Sequence, residues 1–267
     1  MELNNKNYFS TESNMEYMSA SQFKDFLKCE KEALAKCNGE LVEEKSSALL
    51  FGGYVDAYFS NELEEYKRDN PDMFNSKTGE LKAPFKNIEE VISAITSDEL
   101  MMKFLNGQKQ VIMVGEINTV PFKIKVDALH KDMIVDQKIM SSIDELYWNE
   151  EKHKRCDFVE QFGYAIQGAI YQEIVRQNTG KRLPFILAIT TKEENPNKML
   201  MQIDQEYLDQ ALELVRDYAP HYDLIKKGIV EPQGCGHCPT CRKGLKVKGI
   251  VSYKNYFNKV EEELWTY

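Results

Sequence analysis

Residues 125–140 read KVDALHKDMIVDQKIM. The stretch has the form of two short strands about a His-Lys-Asp turn, and each strand carries an acid where an apolar strand would carry an aliphatic side chain. Side chains alternate across a strand, so Asp136 and Lys138 lie on one side of the second strand. In the first, Val120, Phe122, Ile124 and Val126 share one face, while Lys123, Lys125 and Asp127 share the other. A sheet edge with a solvated face and an ion pair would account for this. So would a polar site built across two neighbouring strands.

The flanking sequence supplies the frame. Strands are expected at about 109–116, 119–129 and 132–139, with a hairpin around Ile117, Asn118 and Thr119. Upstream, Ser19 or Ser21 caps a helix reaching about Lys36. A second helix runs from about Ser46 to Leu63 through ALLFGGYVDAYF, and a third covers about 87–105. Downstream come the charged, aromatic segment SSIDELYWNEEKHKR, an amphipathic helix near 157–178, strands LPFILAITT and KMLMQI around the turn EENPN, a long helix and a cysteine-bearing loop. No repeat, low-complexity tract or linker breaks this order. The expectation is one domain over residues 1–267, of α/β (α+β) class, with a central mixed β-sheet flanked by helices.

Composition narrows the function classes. The 267-residue chain is 29% charged and 42% hydrophobic, with a net charge of −9. No segment approaches the roughly 18 apolar residues of a membrane span, and the N-terminus, MELNNKNYFS, lacks a signal-peptide core. An intracellular, cytoplasmic protein with no membrane partner is expected. The acidity argues against a generic nucleic-acid coating protein, yet carboxylates that bind metal would contribute to it. Two basic runs stand out: Lys152, His153, Lys154 and Arg155, then Arg242, Lys243, Lys246 and Lys248. Either could be a solvated face. The first follows Tyr147 and Trp148, which suits phosphate contact combined with base stacking.

Six cysteines in a reducing compartment do not suggest a disulfide framework. Cys235, Cys238 and Cys241 fall in GCGHCPTCR, a C-x2-C-x2-C run in a Gly/Pro-rich loop whose thiolates can converge on one metal centre. Zinc or an iron–sulfur cluster needs a fourth ligand, and Cys29, Cys37, Cys156 and His237 are the candidates.

A second metal set is made of oxygens. Asp127 ends one strand, Asp136 lies in the next, Glu116 ends the strand before them, and Asp56 sits on an early helix. Carboxylates that converge need a cation, and Mg²⁺ or Mn²⁺ suits oxygen ligands. A lysine beside such an ion, here Lys138, can orient a water for hydrolysis.

The spacing D-x(8)-D-x-K, from Asp127 to Asp136-Gln137-Lys138, resembles the core of PD-(D/E)XK nucleases. The helix that follows presents Tyr164, Gln167 and Tyr171 on one face. That Tyr-x-x-Gln-x-x-x-Tyr pattern resembles RecB-type nucleases, and in particular the exodeoxyribonuclease VIII type of phages and prophages. Gly52 to Asp56 stands where RecB-type nucleases carry Gly-x-x-x-His, with Asp replacing His.

The resemblance implies a restriction-endonuclease-like core. It makes Asp127, Asp136 and the Gln137 backbone carbonyl ligands of Mg²⁺, with Asp56 and Glu116 at a second ion. Lys138 would position the attacking water, Gln167 and Tyr171 would orient the lysine or a phosphate, and Tyr164 would support them. Gly52 and Gly53 would let the early helix approach the sheet. Trp148, Lys152, Lys154 and Arg155 would contact DNA. Some relatives pair one early cysteine with three late ones around a [4Fe–4S] cluster, and Cys29 stands at the early position. The metal would staple the N-terminal helix, about 19–36, to the loop at 232–243; the shorter late spacing here keeps zinc open. The implied activity is exonucleolytic hydrolysis at duplex DNA ends, 5′→3′, in phage-type recombination. Such exonucleases often work with a single-strand annealing protein and as homo-oligomers. Alternatives on the same core are an endonuclease or a CRISPR- or helicase-associated nuclease, or an inactive DNA-binding scaffold.

Overall fold

A computed structural model describes residues 1–42, 44–149, 153–247 and 249–255; Lys152 and Lys248 lie outside them. The chain opens with α1 (Thr11–Glu16), α2 (Ala20–Lys28), α3 (Glu30–Cys37), α4 (Ser47–Phe59), α5 (Leu63–Asp69), α6 (Ile88–Thr96) and α7 (Glu99–Leu105). Strands β1 (Gln108–Ile117), β2 (Val120–Leu129) and β3 (Ile134–Met140) follow, then the short pair β4 (Tyr147–Asn149) and β5 (Lys154–Cys156). The last part holds α8 (Phe158–Gln161), α9 (Tyr164–Thr179), β6 (Phe185–Thr191), β7 (Lys198–Gln202), α10 (Gln205–Lys226) and α11 (Pro239–Arg242).

Five strands form one mixed sheet in the order β1-β2-β3-β6-β7. Only β3 and β6 run parallel, joined through α9; the other neighbours are antiparallel. This is a restriction-endonuclease-like architecture. Alternation sorts the strands into two cores. Phe122, Ile124 and Val126 pack with Ile170 and Ile174 of α9 and Val215 of α10. Val135, Ile186 and Ala188 pack on the other side with Val55 of α4 and Ile88 and Ile95 of α6. Among the described residues no helix is long and apolar enough to cross a membrane.

Three expected helices are each divided, and each break has a local cause. The stretch 19–36 is α2 and α3, split at Cys29, whose extended backbone (φ −163°, ψ 111°) ends one helix and opens the next. Ser19 and Gln22 close α2 with a reciprocal capping box. The stretch 87–105 is α6 and α7, because the Asp98 carboxylate caps the N–H groups of Leu100 and Met101. The stretch 157–178 is α8 and α9, parted at Gly163 with φ of 61°. The β1–β2 turn puts Asn118 and Thr119 at φ of 48° and 66°, the left-handed pair a tight hairpin requires.

The sheet is irregular at one place. Val126 belongs to the first core and Ala128 to the second, so the alternation slips at Asp127. Across from it in β1, Gln110 sits between the paired residues Lys109 and Val111 with φ of 51°. Strained backbone in the left-handed region persists only where its surroundings hold it.

Candidate active site

The strands themselves open the site. β2 and β3 pair only at Ala128–Val135 and Leu129–Ile134, and beyond Val135 the sheet partner of β3 is β6. Into the wedge between β2 and β3 the Asp127 side chain accepts the Gln137 N–H at 2.8 Å, replacing the missing ladder bond. Asp136 and Lys138 face the α9 side. Of the two readings the alternation allowed, burial excludes the solvated face: Asp136 is 2% exposed.

Helix α9 supplies the wall over them. Gln167 Nε2 donates to Asp136 Oδ1 at 2.7 Å. Lys138 Nζ stands 2.5 Å from Asp136 Oδ2 and 5.2 Å from the centre of the Tyr164 ring. Despite that ion pair, Asp136 Oδ2 has no partner in hydrogen-bonding geometry. The Tyr171 hydroxyl donates to the Lys125 carbonyl at 3.1 Å, so it pins the β2 backbone. Neither Gln167 nor Tyr171 is bonded to Lys138: one holds the carboxylate and the other holds the strand.

A cleft of about 640 Å³ runs from this wedge to α4, lined among others by Asp56, Gln110, Asp127, Asp136, Lys138 and Gln167. Asp56 accepts from Gln110 Nε2 at 2.9 Å, which uses the strained residue of β1 to hold α4. Burial, then repulsion from Asp136 and Asp56, pushes the Asp127 carboxyl well above its ordinary value. Burial raises Asp56 as well, against the pull of Lys125. Burial alone would lower Lys138; Asp136 and Asp127 outweigh it and keep the ammonium above the usual lysine value.

Two expectations about the site are overturned. Glu116 pairs with Pro121 at the hairpin end of β1, six residues from Gln110, or about 20 Å of strand. It is exposed, and its backbone exchanges hydrogen bonds with the Gln177 side chain. It stands apart from the other acids. Gly53 does not admit the sheet: a Cβ there would meet the Tyr66 hydroxyl at 2.4 Å, whereas nothing lies within 4 Å of one on Gly52, which lines the cleft.

Several cleft residues carried no clear sequence signal. Lys24 of α2 donates to the Phe162 carbonyl at 3.0 Å and lies 5.9 Å from the Tyr164 ring centre. Burial, reinforced by Lys138, pushes it down to about 8. Lys123 is buried under the N-terminal segment, where it donates to the Tyr8 carbonyl, Ser13 Oγ and Asn14 Oδ1. Only the alternation of Lys123, Lys125 and Asp127 along β2 hinted at this second row of charge.

The proposed DNA-contact segment is a two-stranded ribbon. Trp148 pairs with Arg155 and Asn149 with Lys154, and Trp148, Lys154 and Arg155 are exposed. Lys154 lies 4.0 Å from Glu160. Tyr147 packs edge-on against Phe162, which contacts Tyr164, so an aromatic path leads from the ribbon to Lys138. Lys152 belongs to the residues not described.

At the far side of α2 and α3, Cys29 meets Cys235, Cys238 and Cys241, and the N-terminal helical elbow and the late loop pack together. Cys37 and Cys156 lie elsewhere in the chain's interior. Among the described residues this is the one His, Cys, Asp or Glu group of three or more whose ligand atoms lie within 4.8 Å of one another. Among the described residues Asp56, Asp127 and Asp136 line one cleft without forming so tight a trio. Buried oxygens that repel one another, one of them without a hydrogen bond, fit a hard divalent cation.

Residues 19–244 match the family model described as "PDDEXK-like domain of unknown function (DUF3799)". The chain belongs to this family. Its PDDEXK-like fold is shared by a crystal structure from Eubacterium rectale described as "Putative exonuclease", with 45% sequence identity and a TM-score of 0.90 over 96% of this chain and 98% of that one. No curated protein matches it. The PDDEXK-like match spans the acids, Lys138, the α9 face and all four clustered cysteines, so the site lies within the part of the chain the family defines.

Proposed function

We propose that this chain is a Mg²⁺-dependent (or Mn²⁺-dependent) exodeoxyribonuclease that hydrolyses phosphodiester bonds at the ends of linear duplex DNA. The observation that carries the reading is the wedge between β2 and β3, where Asp127, Asp136 and Lys138 meet under Gln167. Such a set suits hydrolysis of an anionic ester. The "Putative exonuclease" description of the Eubacterium rectale relative supports the choice of nuclease.

In this reading Asp127, Asp136 and the Gln137 carbonyl hold the ion, and Asp56, tied to Gln110, stands ready for a second. When bound, the ion polarises the scissile phosphate and makes water a stronger nucleophile near neutral pH. Lys138 stays protonated and offsets charge that builds on the phosphoryl oxygens in the transition state. Gln167 fixes one oxygen of the Asp136 carboxylate, so the other, beside Lys138, points the same way in every turnover. Tyr171 keeps β2 in place, and Tyr164 backs the Lys138 ammonium. Arg155, Lys154 and Trp148 on the ribbon take the DNA backbone and a base.

The finer points rest on likeness to exodeoxyribonuclease VIII: 5′→3′ polarity, a role in phage-type recombination, a single-strand annealing partner and a homo-oligomeric state. Labelled linear duplex, marked at either the 5′ or the 3′ end, and a covalently closed circle test this with Mg²⁺ or Mn²⁺. Loss of the 5′ label with the circle untouched is expected. Cutting of the circle would make the enzyme an endonuclease of the same core. Binding without cleavage of either would make it a scaffold.

A further inference from the structure

The four clustered thiols are spaced for one ion. Cys29 Sγ lies 3.5 Å from Cys241 Sγ and 3.7 Å from Cys238 Sγ, and Cys235 Sγ lies 4.0 Å from Cys241 Sγ. All four stand within 4.8 Å of one another. Thiolates at the corners of a tetrahedron around one zinc, with Zn–S of about 2.3 Å, have S···S edges of about 3.8 Å. An iron–sulfur cube interposes its own tetrahedron of irons, each bound by a different cysteine, and so drives the sulfurs much further apart. These three distances bracket the zinc value and fall short of the span a cube would set.

The loop is shaped around the sulfurs. The N–H groups of His237 and Cys238 point at Cys235 Sγ at 3.4 and 3.3 Å, and the Cys241 N–H points at Cys238 Sγ at 3.3 Å. The Cys235 N–H reaches Cys29 Sγ at 3.5 Å. Donors of this kind orient thiolate ligands and offset their charge. Gly236, at φ of 77°, makes the turn between the first two ligands. A Cβ on Gly234 would lie 2.7 Å from Cys241 Sγ, so the chain passes close only because none is there.

We propose that Cys29, Cys235, Cys238 and Cys241 bind a single Zn²⁺ as a closed, structural tetrathiolate site, in place of the [4Fe–4S] cluster that the wider resemblance implies. Four protein ligands leave no open position for chemistry. Zinc is preferred to a lone ferrous ion because thiolate sites bind it more tightly. The ion ties the α2–α3 elbow to the segment after α10. The same junction carries the Glu30 carboxylate, which meets His221 Nε2 at 2.9 Å and the Gln233 N–H at 2.6 Å. Helices α2 and α3 carry Lys24, Asp25 and Lys36 into the cleft wall, so the zinc sets that wall from behind without touching the reacting atoms. The assignment stands whether or not the cleft cuts DNA.

The test is metal and acid-labile sulfide analysis of the full chain, without a histidine tag, purified anaerobically from cells supplied with both iron and zinc. The expected result is about one zinc ion per chain without sulfide. Exchange for Co²⁺ should give the visible bands of a tetrahedral tetrathiolate. Cys241→Ser should lose the zinc and melt at a lower temperature, while Cys156→Ser, outside the cluster, should keep it. Iron with sulfide, iron alone, or a folded chain free of metal would each overturn the assignment; the wild-type analysis decides this even if Cys241→Ser does not fold.

Discussion

Gln167 of α9 donates to Asp136 of β3 across 2.7 Å, and this bond joins the helix over the cleft to the buried carboxylate at its floor. Removing the amide leaves a carboxylate oxygen unpaired and free to turn. Gln167→Ala should therefore raise the Mg²⁺ concentration for half-maximal cleavage by about 10–100-fold, with a smaller effect on DNA affinity. Metal titration of the initial rate checks it; an unchanged metal requirement would remove Gln167 from the account.

Lys138 should separate charge stabilisation from metal binding. Its ammonium pairs with Asp136, so it competes with a cation for the same oxygens in the resting site. Lys138→Ala should slow cleavage by at least about 10²-fold while binding Mg²⁺ no more weakly than wild type. Calorimetric titration of the DNA-free variant, beside its single-turnover rate, reads both quantities.

How much of this the sequence disclosed follows from what each feature depends on. The strands, the acids and Lys138 were legible because alternation is local and the D-x(8)-D-x-K spacing is short. The role of Cys29 came only through resemblance, since its three partners lie more than two hundred residues away. Glu116 misled because sequence gives a strand but not the length of its hairpin: it lies six residues along β1 from Gln110, the residue that reaches Asp56, too far to share an ion with the cleft acids. The breaks at Cys29 and Gly163 were missed because apolar periodicity runs through both. Alternation placed Lys123 on the polar face of its strand, but its burial was not legible because the polar N-terminal segment that covers it has no pattern of its own.

The exposed ribbon should act through binding. Trp148→Ala should weaken DNA binding by about 1–3 kcal/mol if the ring stacks on a base, and Arg155→Ala should flatten the salt dependence of binding by roughly one phosphate contact. Fluorescence anisotropy over a salt series, with metal withheld, measures both effects without cleavage.

A buried lysine should show in the alkaline stability profile. Lys226 Nζ donates to the Tyr17 carbonyl at 2.8 Å, and burial pushes it down to about 8, with Cys37 and Asp223 opposing. From about pH 8 up to the ordinary lysine value, the unfolded chain keeps this proton more than the folded one, so the Lys226 contribution makes stability rise with pH. The wild-type advantage over Lys226→Met should grow across that window, by on the order of 3 kcal/mol in full. Denaturant unfolding of both proteins at pH 7.5 to 10 (about the reach of the lysine titration) measures the difference, with Cys37→Ala in both backgrounds because Lys226 acts on that thiol.

In the proposed reading, cleavage requires the Asp136 carboxylate and the divalent ion it would hold. Single-turnover digestion of an end-labelled linear duplex by wild type and by Asp136→Asn, with Mg²⁺ added after DNA is bound, tests this. Rapid label loss by wild type only when Mg²⁺ is present, and none by a variant that still folds and binds DNA, is the predicted result. Equal cleavage by both proteins, or intact DNA with Mg²⁺-saturated wild type, would contradict it.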